Sequence, residues 1–532
     1  MHQRLMVSGT LEMAMVEKHD KYLGLPTVVG RSKKEIFAGL IERVRKKLKN
    51  WKEKTLSIGG RETLIKSVAQ AQFTYAMSVF RVPSSIVKEV HGLITNFYWG
   101  QRGSERRIHW ISHDELTWPK EEGGLGFRNL FGFNTALLAR QVWSIHQRPQ
   151  SLVARILQAK YYKKTTILEA AVGHHPSYIW RSLMSAQELL NEGIRWRIGN
   201  GASVQIWGDK WLPESTPAFV TSAPMGLPVD AKVRDLISPE LDQWDETVVE
   251  ACFPTEIASR IKQIPLRGLD EVDKQIWMDT PNGDYSAKSG YKWWLKRYKE
   301  ERQLAEVGEA HVWKKLWAME VPSKVKHFVW RFARDALPTG DHISIKSERR
   351  TDKCPFCDLK ETQVHLFDEC QWTSRLWRGC VLDGCFSRRG NRSCYEWYKL
   401  VMEEFEGEVL EKWSVLLWFL WKERNAHMFN RSKLDEGEIV ARSQAYLEEY
   451  KQHQVREQVV ATPSVKHWKK PDFGKVKINT DAGLLENGGI GLGVVIRDAE
   501  GNFILAAAKK IPRQWDVVTA EAMAAEMGVS LA

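Results

Sequence analysis

Apolar residues recur at helical spacing through the first part of this chain. Ile36, Leu40, Val44 and Leu48 stand four apart and set one apolar stripe along a helix of residues 33–54. Ser57-Ile-Gly-Gly60 is expected to end that helix. Leu64, Ile65, Val68 and Ala69 mark a second helix over 61–79, stopped by Pro83, and a third follows over 85–99. Gly123-Gly-Leu-Gly126 reads as a turn and 134–146 as a further helix, so residues 1–150 are predicted to be mainly α.

The period then changes. Residues 195–207 alternate on both sides of Gly199-Asn-Gly201, the pattern of a β-hairpin, and Asn282-Gly283 marks another tight turn. Residues 151–300 therefore read as a mixed α+β connecting region with a β-hairpin. The charged segment 299–310 has no apolar stripe and places a boundary. Helical patterns return at 312–317 and 325–333, within a small helical region over 311–400, and an aromatic helix covers 411–430 within 401–450. Polar residues 451–474 read as a linker. Strands are expected at 475–480, 491–497 and 503–508, then a helix over 519–532, giving a small α/β segment at 475–532. The fold class is multidomain: mainly α, then mixed α+β, then small helical, then α/β.

Composition sharpens this picture. With 532 residues, 43% hydrophobic and 27% charged, the chain is globular and long enough for several domains. The net charge is +12, and residues 1–150 hold 24 Lys and Arg against 13 Asp and Glu, so nearly all the surplus is there. A polyanion such as RNA or DNA is the natural partner of such a surface, because each phosphate contact releases counterions. The candidate contacts line the first helix: Lys33, Lys34, Arg43, Arg45, Lys46, Lys47, Lys49, Lys52 and Lys54. The most apolar run, Trp413 to Trp421, is too short for a bilayer, which needs about 20 residues, so no membrane segment is expected. Seven cysteines and no secretory signal exclude a disulfide framework and point to a reducing interior, nucleus or cytoplasm.

Two constellations could carry chemistry. Cys354-Pro-Phe-Cys357, His365 and Cys370 have the spacing Cys-x2-Cys-x7-His-x4-Cys. Four soft or borderline donors fill all corners of a tetrahedral zinc site, so such a zinc would be structural, with no open position for water. Cys252, Cys380, Cys385 and Cys394 read as buried or idle thiols. The second constellation is Asp481, at the end of the strand 477–481, with Glu521 in the first turn of the last helix. A strand carboxylate beside a helix carboxylate is how two-metal nucleases hold divalent ions. The same residues are also ordinary at a strand end and a helix start.

These motifs resemble a known family. Lys21-Tyr-Leu-Gly-Leu-Pro26, Trp51 to Gly60, Phe97-Tyr-Trp-Gly100, His109-Trp110 and Lys120 to Gly126 are similar to the region after the polymerase core in plant LINE-type (non-LTR) retrotransposon reverse transcriptases. So are Trp196 to Gly201, Trp207 to Leu212 and Asn282 to Tyr291. Trp313 to Cys370 resembles the family's zinc-binding domain, and Trp468 to Asp481 the entry to its ribonuclease H-like domain.

The resemblance implies that Cys354, Cys357, His365 and Cys370 are zinc ligands. It also implies that Asp481 and Glu521 are the first two carboxylates of a ribonuclease H-like site hydrolysing the RNA of an RNA–DNA hybrid. Magnesium belongs to the chain only if that site functions. By the same resemblance the paired polymerase aspartates would lie upstream of Met1, and the later ribonuclease H carboxylates and strands would follow Ala532. The expectation is a nucleic-acid-binding remnant that does not cleave. The alternatives are a functioning hybrid ribonuclease, or the product of a decayed element with no selected role.

Overall fold

The computed structural model describes residues 21–22, 25–26, 33–52, 56–100, 107–213, 219–220, 222, 226–238, 243–266, 270–302, 308–344, 352–378, 393–430, 435–460, 471–485, 489–511 and 517–532. Within these the protein is mostly helical with a few small sheets, and it falls into two compact units, Met1–Lys451 and Gln452–Ala532. No described helix is long and apolar enough to cross a membrane.

In the first unit α1 (Lys33–Lys52) buries Phe37, Ile41, Val44 and Leu48 and packs against α3 (Ser84–Tyr98). The stripe is thus shifted from the expected one: Leu40 is only half-buried, and the Ile36 side chain lies outside the described residues. Nor does Ser57-Ile-Gly-Gly60 end α1. Ser57 is the N-cap of α2 (Ile58–Leu64), its hydroxyl accepting the Gly60 N–H at 3.1 Å. Gly59 sits in the first turn, where a Cβ would lie 3.0 Å from Ser323 Cβ. Gly59 serves a close helix approach rather than a stop. The helical path continues through a π segment (Ile65–Ala69) and a 3-10 segment (Gln70–Phe73) to Met77.

A buried asparagine fastens the next helix, α4 (Leu130–Gln147). Asn134 Nδ2 donates to the carbonyls of Met77 and Phe80, and its Oδ1 accepts the Val82 N–H at 2.8 Å. Such full satisfaction makes a buried amide tolerable. The buried carboxylate of Glu62 is treated likewise. Burial opposes its ionisation, but His327 Nε2 (3.0 Å), Lys66 Nζ (2.6 Å) and Lys120 Nζ (2.9 Å) hold it far below the ordinary carboxylate range.

The middle region departs from expectation. β1 (Ile194–Arg197) does not form a hairpin across Gly199-Asn-Gly201; it pairs antiparallel with β2 (Lys274–Trp277), Ile194 facing Trp277. Residues 199–203 instead wrap a carboxylate. Asp273 accepts N–H bonds from Gly199 (2.8 Å), Gly201 (2.9 Å) and Ser203 (2.8 Å). Local alternation finds a strand but not its partner, and here the partner is remote in sequence. The Asn282-Gly283 turn is as expected, with Gly283 at φ +80°.

Next come α5 (Ala287–Glu301), packed on α4, then α6 (Ala310–Ala318) and α7 (Ser323–Ala333). They are followed by α8 (Gln371–Arg378), α9 (Cys394–Glu404) and the aromatic helix α10 (Glu408–Asn430). A further helix, α11 (Glu436–Val460), corrects the linker reading for residues 452–460. That stretch is largely polar, but Gln452, Gln454, Arg456, Glu457 and Gln458 are all good helix formers. Residues 461–470 lie outside the described part.

The second unit carries one antiparallel sheet in the order β3 (Lys477–Leu484), β4 (Ile490–Arg497), β5 (Phe503–Ile511). Helix α12 (Val517–Leu531) packs on β3 and β4. Ile490, Leu492, Ala520 and Ala524 form its small core. Gly491 and Gly493 lie within the strand, as their pattern indicated.

Candidate metal centre

Cys354 and Cys357 sit on a tight antiparallel turn closed by the Lys353–Lys360 bridge. Cys354 N–H donates to the Leu359 carbonyl (2.6 Å), and Asp358 N–H to the Cys354 carbonyl (3.0 Å). Asp358 takes the left-handed conformation at φ +62° that the reversal requires. Phe356, between the two cysteines, stacks on Trp372 at 4.0 Å and on His427 of α10 at 5.2 Å, which fixes the turn against the helices. His365 opens a π-helical turn (His365–Glu369), its N–H capped by Thr362 Oγ1 at 2.9 Å. Cys370 follows immediately, at the start of α8.

The four donor atoms all lie within 4.8 Å of one another. Cys354 Sγ and Cys370 Sγ are 3.9 Å apart. A tetrahedron with Zn–S bonds of about 2.3 Å has an S···S edge of about 3.8 Å. His365 presents Nε2 to Cys357 Sγ at 3.1 Å and turns Nδ1 toward Glu369 Oε2 at 3.7 Å. A ligating imidazole divides its nitrogens in this way, one for the ion and the other for an outer partner such as a carboxylate, a carbonyl or water, and Glu369 stands just beyond hydrogen-bond distance of Nδ1. Cys354, His365 and Cys370 are buried, and Cys357 is half-buried.

The electrostatics suit a cation. Cys370 is held below the ordinary thiol range by the Cys354 thiol against it and by the backbone N–H groups of Thr373 and Trp372 at the start of α8; burial acts in the opposite sense. Cys354 is correspondingly raised, through its contact with Cys370 and its burial. This donor set fits a structural zinc: three sulfurs and one imidazole occupy every corner, and the centre supplies cross-linking rather than catalysis.

The other expected site residues are placed as follows. Arg43, Arg45, Lys46 and Lys49 are exposed on α1 and Lys47 is half-buried; the side chains of Lys33, Lys34 and Lys52, and all of Lys54, lie outside the described residues. Arg45 is engaged by Glu42 (2.7 Å) and Glu89 (2.8 Å). Asp481 lies within β3, opposite Gly493, rather than at its end, and Glu521 falls one turn inside α12 because that helix begins at Val517; both are exposed. Among the described residues, the only other metal-capable group is Glu309, His311 and Glu403, exposed and shared with Lys399. Cys252 and Cys394 are buried thiols; Cys380 and Cys385 lie outside the described residues.

Two contributors escaped sequence reading. Glu369 had a signal, since it stands four residues after His365 on one helical face. Arg424 had none. It reaches from α10 to the buried Glu361 just past the cysteine turn.

Comparison with known proteins agrees with this centre. Residues 285–377 match the family described as zinc-binding in reverse transcriptase. The match takes in α5, ahead of the expected boundary at 299–310. The chain is 26% identical over 500 residues, 90% of its length and 78% of the other's, to an Arabidopsis thaliana protein named "Putative ribonuclease H protein". It is 40% identical over 144 residues, 27% of its length and 94% of the other's, to an "Uncharacterized mitochondrial protein" of the same plant. The chain belongs to the retrotransposon-derived reverse transcriptases, and what it represents is their C-terminal region.

Proposed function

We propose that this chain binds nucleic acid through the outer face of α1, with a zinc-braced helical platform behind it. The observation that carries the reading is a row of cations at helical spacing. Arg43, Lys46 and Lys49 are exposed three residues apart, opposite the buried Val44 and Leu48, and none has an ion-pair partner among the described residues. Exposed cations without an ion-pair partner on one helix face suit phosphates.

The test is salt dependence. Three phosphate contacts give a slope of about −2.7 for log affinity against log salt on duplex DNA. Replacing Arg43, Lys46 and Lys49 with Gln should remove most of it. Affinity that is unchanged between low and moderate salt would end this reading.

A second reading is hybrid hydrolysis with magnesium at a ribonuclease H-like site. It is favoured by the name of the longer relative and by Asp481, exposed on a strand against which the Glu521 helix packs. Against it, no third carboxylate groups with these two among the described residues, and two alone under-compensate a pair of divalent ions. Our reading is therefore binding without cleavage. Hydrolysis of an RNA–DNA hybrid that needs a divalent metal and disappears in Asp481→Asn would overturn it.

A further inference from the structure

A cleft of about 570 Å³ in the first unit is lined by arginines and aromatic rings, with no carboxylate on its walls. Its members come from distant parts of the chain. Arg61 stands on α2, Arg107 and Trp110 follow the end of α3, Arg331 stands on α7, and Trp421 and Phe429 stand on α10. Two segments whose role the metal centre leaves open, Phe97-Tyr-Trp-Gly100 and His109-Trp110, meet here.

The floor is built rather than incidental. Gly100 adopts φ +76°, and a Cβ there would lie 2.6 Å from Arg61 Nη1, so the guanidinium rests directly on the glycine backbone. Arg61 also donates to the Tyr98 carbonyl at 3.3 Å. Arg331 is braced by two bonds to one backbone carbonyl, that of Ala336 (3.1 and 2.8 Å), and its guanidinium lies 5.6 Å from the centre of the Trp99 ring.

The charge is unspent. Of the four arginines on the walls, Arg424 is neutralised by Glu361 beneath it. Neither Arg331 nor Arg107 has a carboxylate partner among the described residues. Desolvation pushes the Arg331 guanidinium down to about 10. A partly buried cation without a counter-charge is costly unless an anion completes it. Phe429 offers a ring 65% exposed at the rim, and Trp110 is half-buried beside the arginines.

Resting on the nucleic-acid reading above, we infer that this cleft takes an unpaired nucleotide of a single strand, its phosphate on Arg331 and Arg107 and its base on Trp110 and Phe429. A cleft of this size admits one nucleotide, not a duplex, and aromatic faces reward a base only when it is unstacked from its neighbours. RNA and DNA strands share this chemistry.

The experiment measures anisotropy of end-labelled single-stranded RNA, single-stranded DNA and a duplex of the same sequence. The proteins are the full chain, the double variant Arg107→Gln/Phe429→Ala, and the α1 triple Gln variant. Both residues of the double variant are exposed, so the fold survives. Expected is a loss of roughly tenfold or more for single strands in the double variant, with duplex affinity within about twofold. The RNA and DNA arms show which strand is preferred. Equal loss on duplex and single strands, or no loss at all, overturns the cleft. If the full chain binds no nucleic acid, the general reading falls as well. If it binds and only the α1 variant weakens it, the general reading stands and the cleft alone is wrong.

Discussion

Arg424 grips Glu361 with two parallel N–H···O bonds inside the protein, where both side chains are almost wholly buried. The same carboxylate accepts the Gly340 N–H at 2.6 Å. The pair joins the cysteine turn to α10 and satisfies the charge on each side. Arg424→Met should therefore cost about 3–5 kcal/mol, since it strands a buried carboxylate, whereas adding Glu361→Met should recover much of that loss. Urea unfolding of the two single variants and the double variant measures the coupling; additive losses would show that the pair does not act as a unit.

Metal content tests the candidate centre. The purified chain should carry stoichiometric zinc, and a strong chelator should lower its melting temperature. Glu369→Ala leaves all four ligands in place but frees His365 Nδ1, so zinc affinity should fall roughly 10–100-fold with ligand identity unchanged. A chelator titration of both proteins reads this directly. Equal affinities would mean that Glu369 does not orient the imidazole.

Acid should weaken the first unit through a histidine pair. The rings of His91 and His113 lie 4.0 Å apart, and burial pushes their pKa values down to about 3 and about 4. In the unfolded chain both protonate near about 6.5. Between those values the unfolded state binds more protons, so their contribution is full above about pH 6.5 and declines as pH falls, by up to about 1.4 kcal/mol per pH unit for each ring. Denaturation midpoints at about pH 7.5 and about pH 5 should differ accordingly. The double variant His91→Gln/His113→Gln should flatten that difference.

Two helical glycines should respond with opposite signs. At Gly132 a Cβ would overlap the Trp294 ring of α5, so Gly132→Ala should cost roughly 1–3 kcal/mol. At Gly92, in α3, nothing lies within 4 Å, so Gly92→Ala should stabilise by about 0.5–1 kcal/mol. Equilibrium unfolding of the two variants checks both signs.

What could be read ahead of the structure follows physical range. Periodicity located α1, α3, α4, α7 and the three strands of the second unit, because a helix or strand face repeats within a few residues. The Cys-x2-Cys-x7-His-x4-Cys spacing is also local, and the fold draws those four residues together. The β1–β2 pairing was out of reach, since residues some eighty positions apart meet there and neither segment names the other. Gly59-Gly60 misled for a related reason. Glycine signals a close approach or a break equally well, and only Ser323 on α7 decides between them. The arginine cleft is the extreme case, since its walls come from four stretches of the chain far apart in sequence.

The core that begins with Phe37, Ile41, Val44 and Leu48 on α1 runs on through Phe97, Trp313 and Phe328 to Leu447. The stretch matched as zinc-binding, 285–377, therefore owns no interior of its own. Excised at those limits it would present half of a shared hydrophobic seam to water, and so would the remainder. Such a segment should not fold as a free cassette. Recombination that respects folding would have to carry the basic helices and the cysteine knuckle together, as one inherited block.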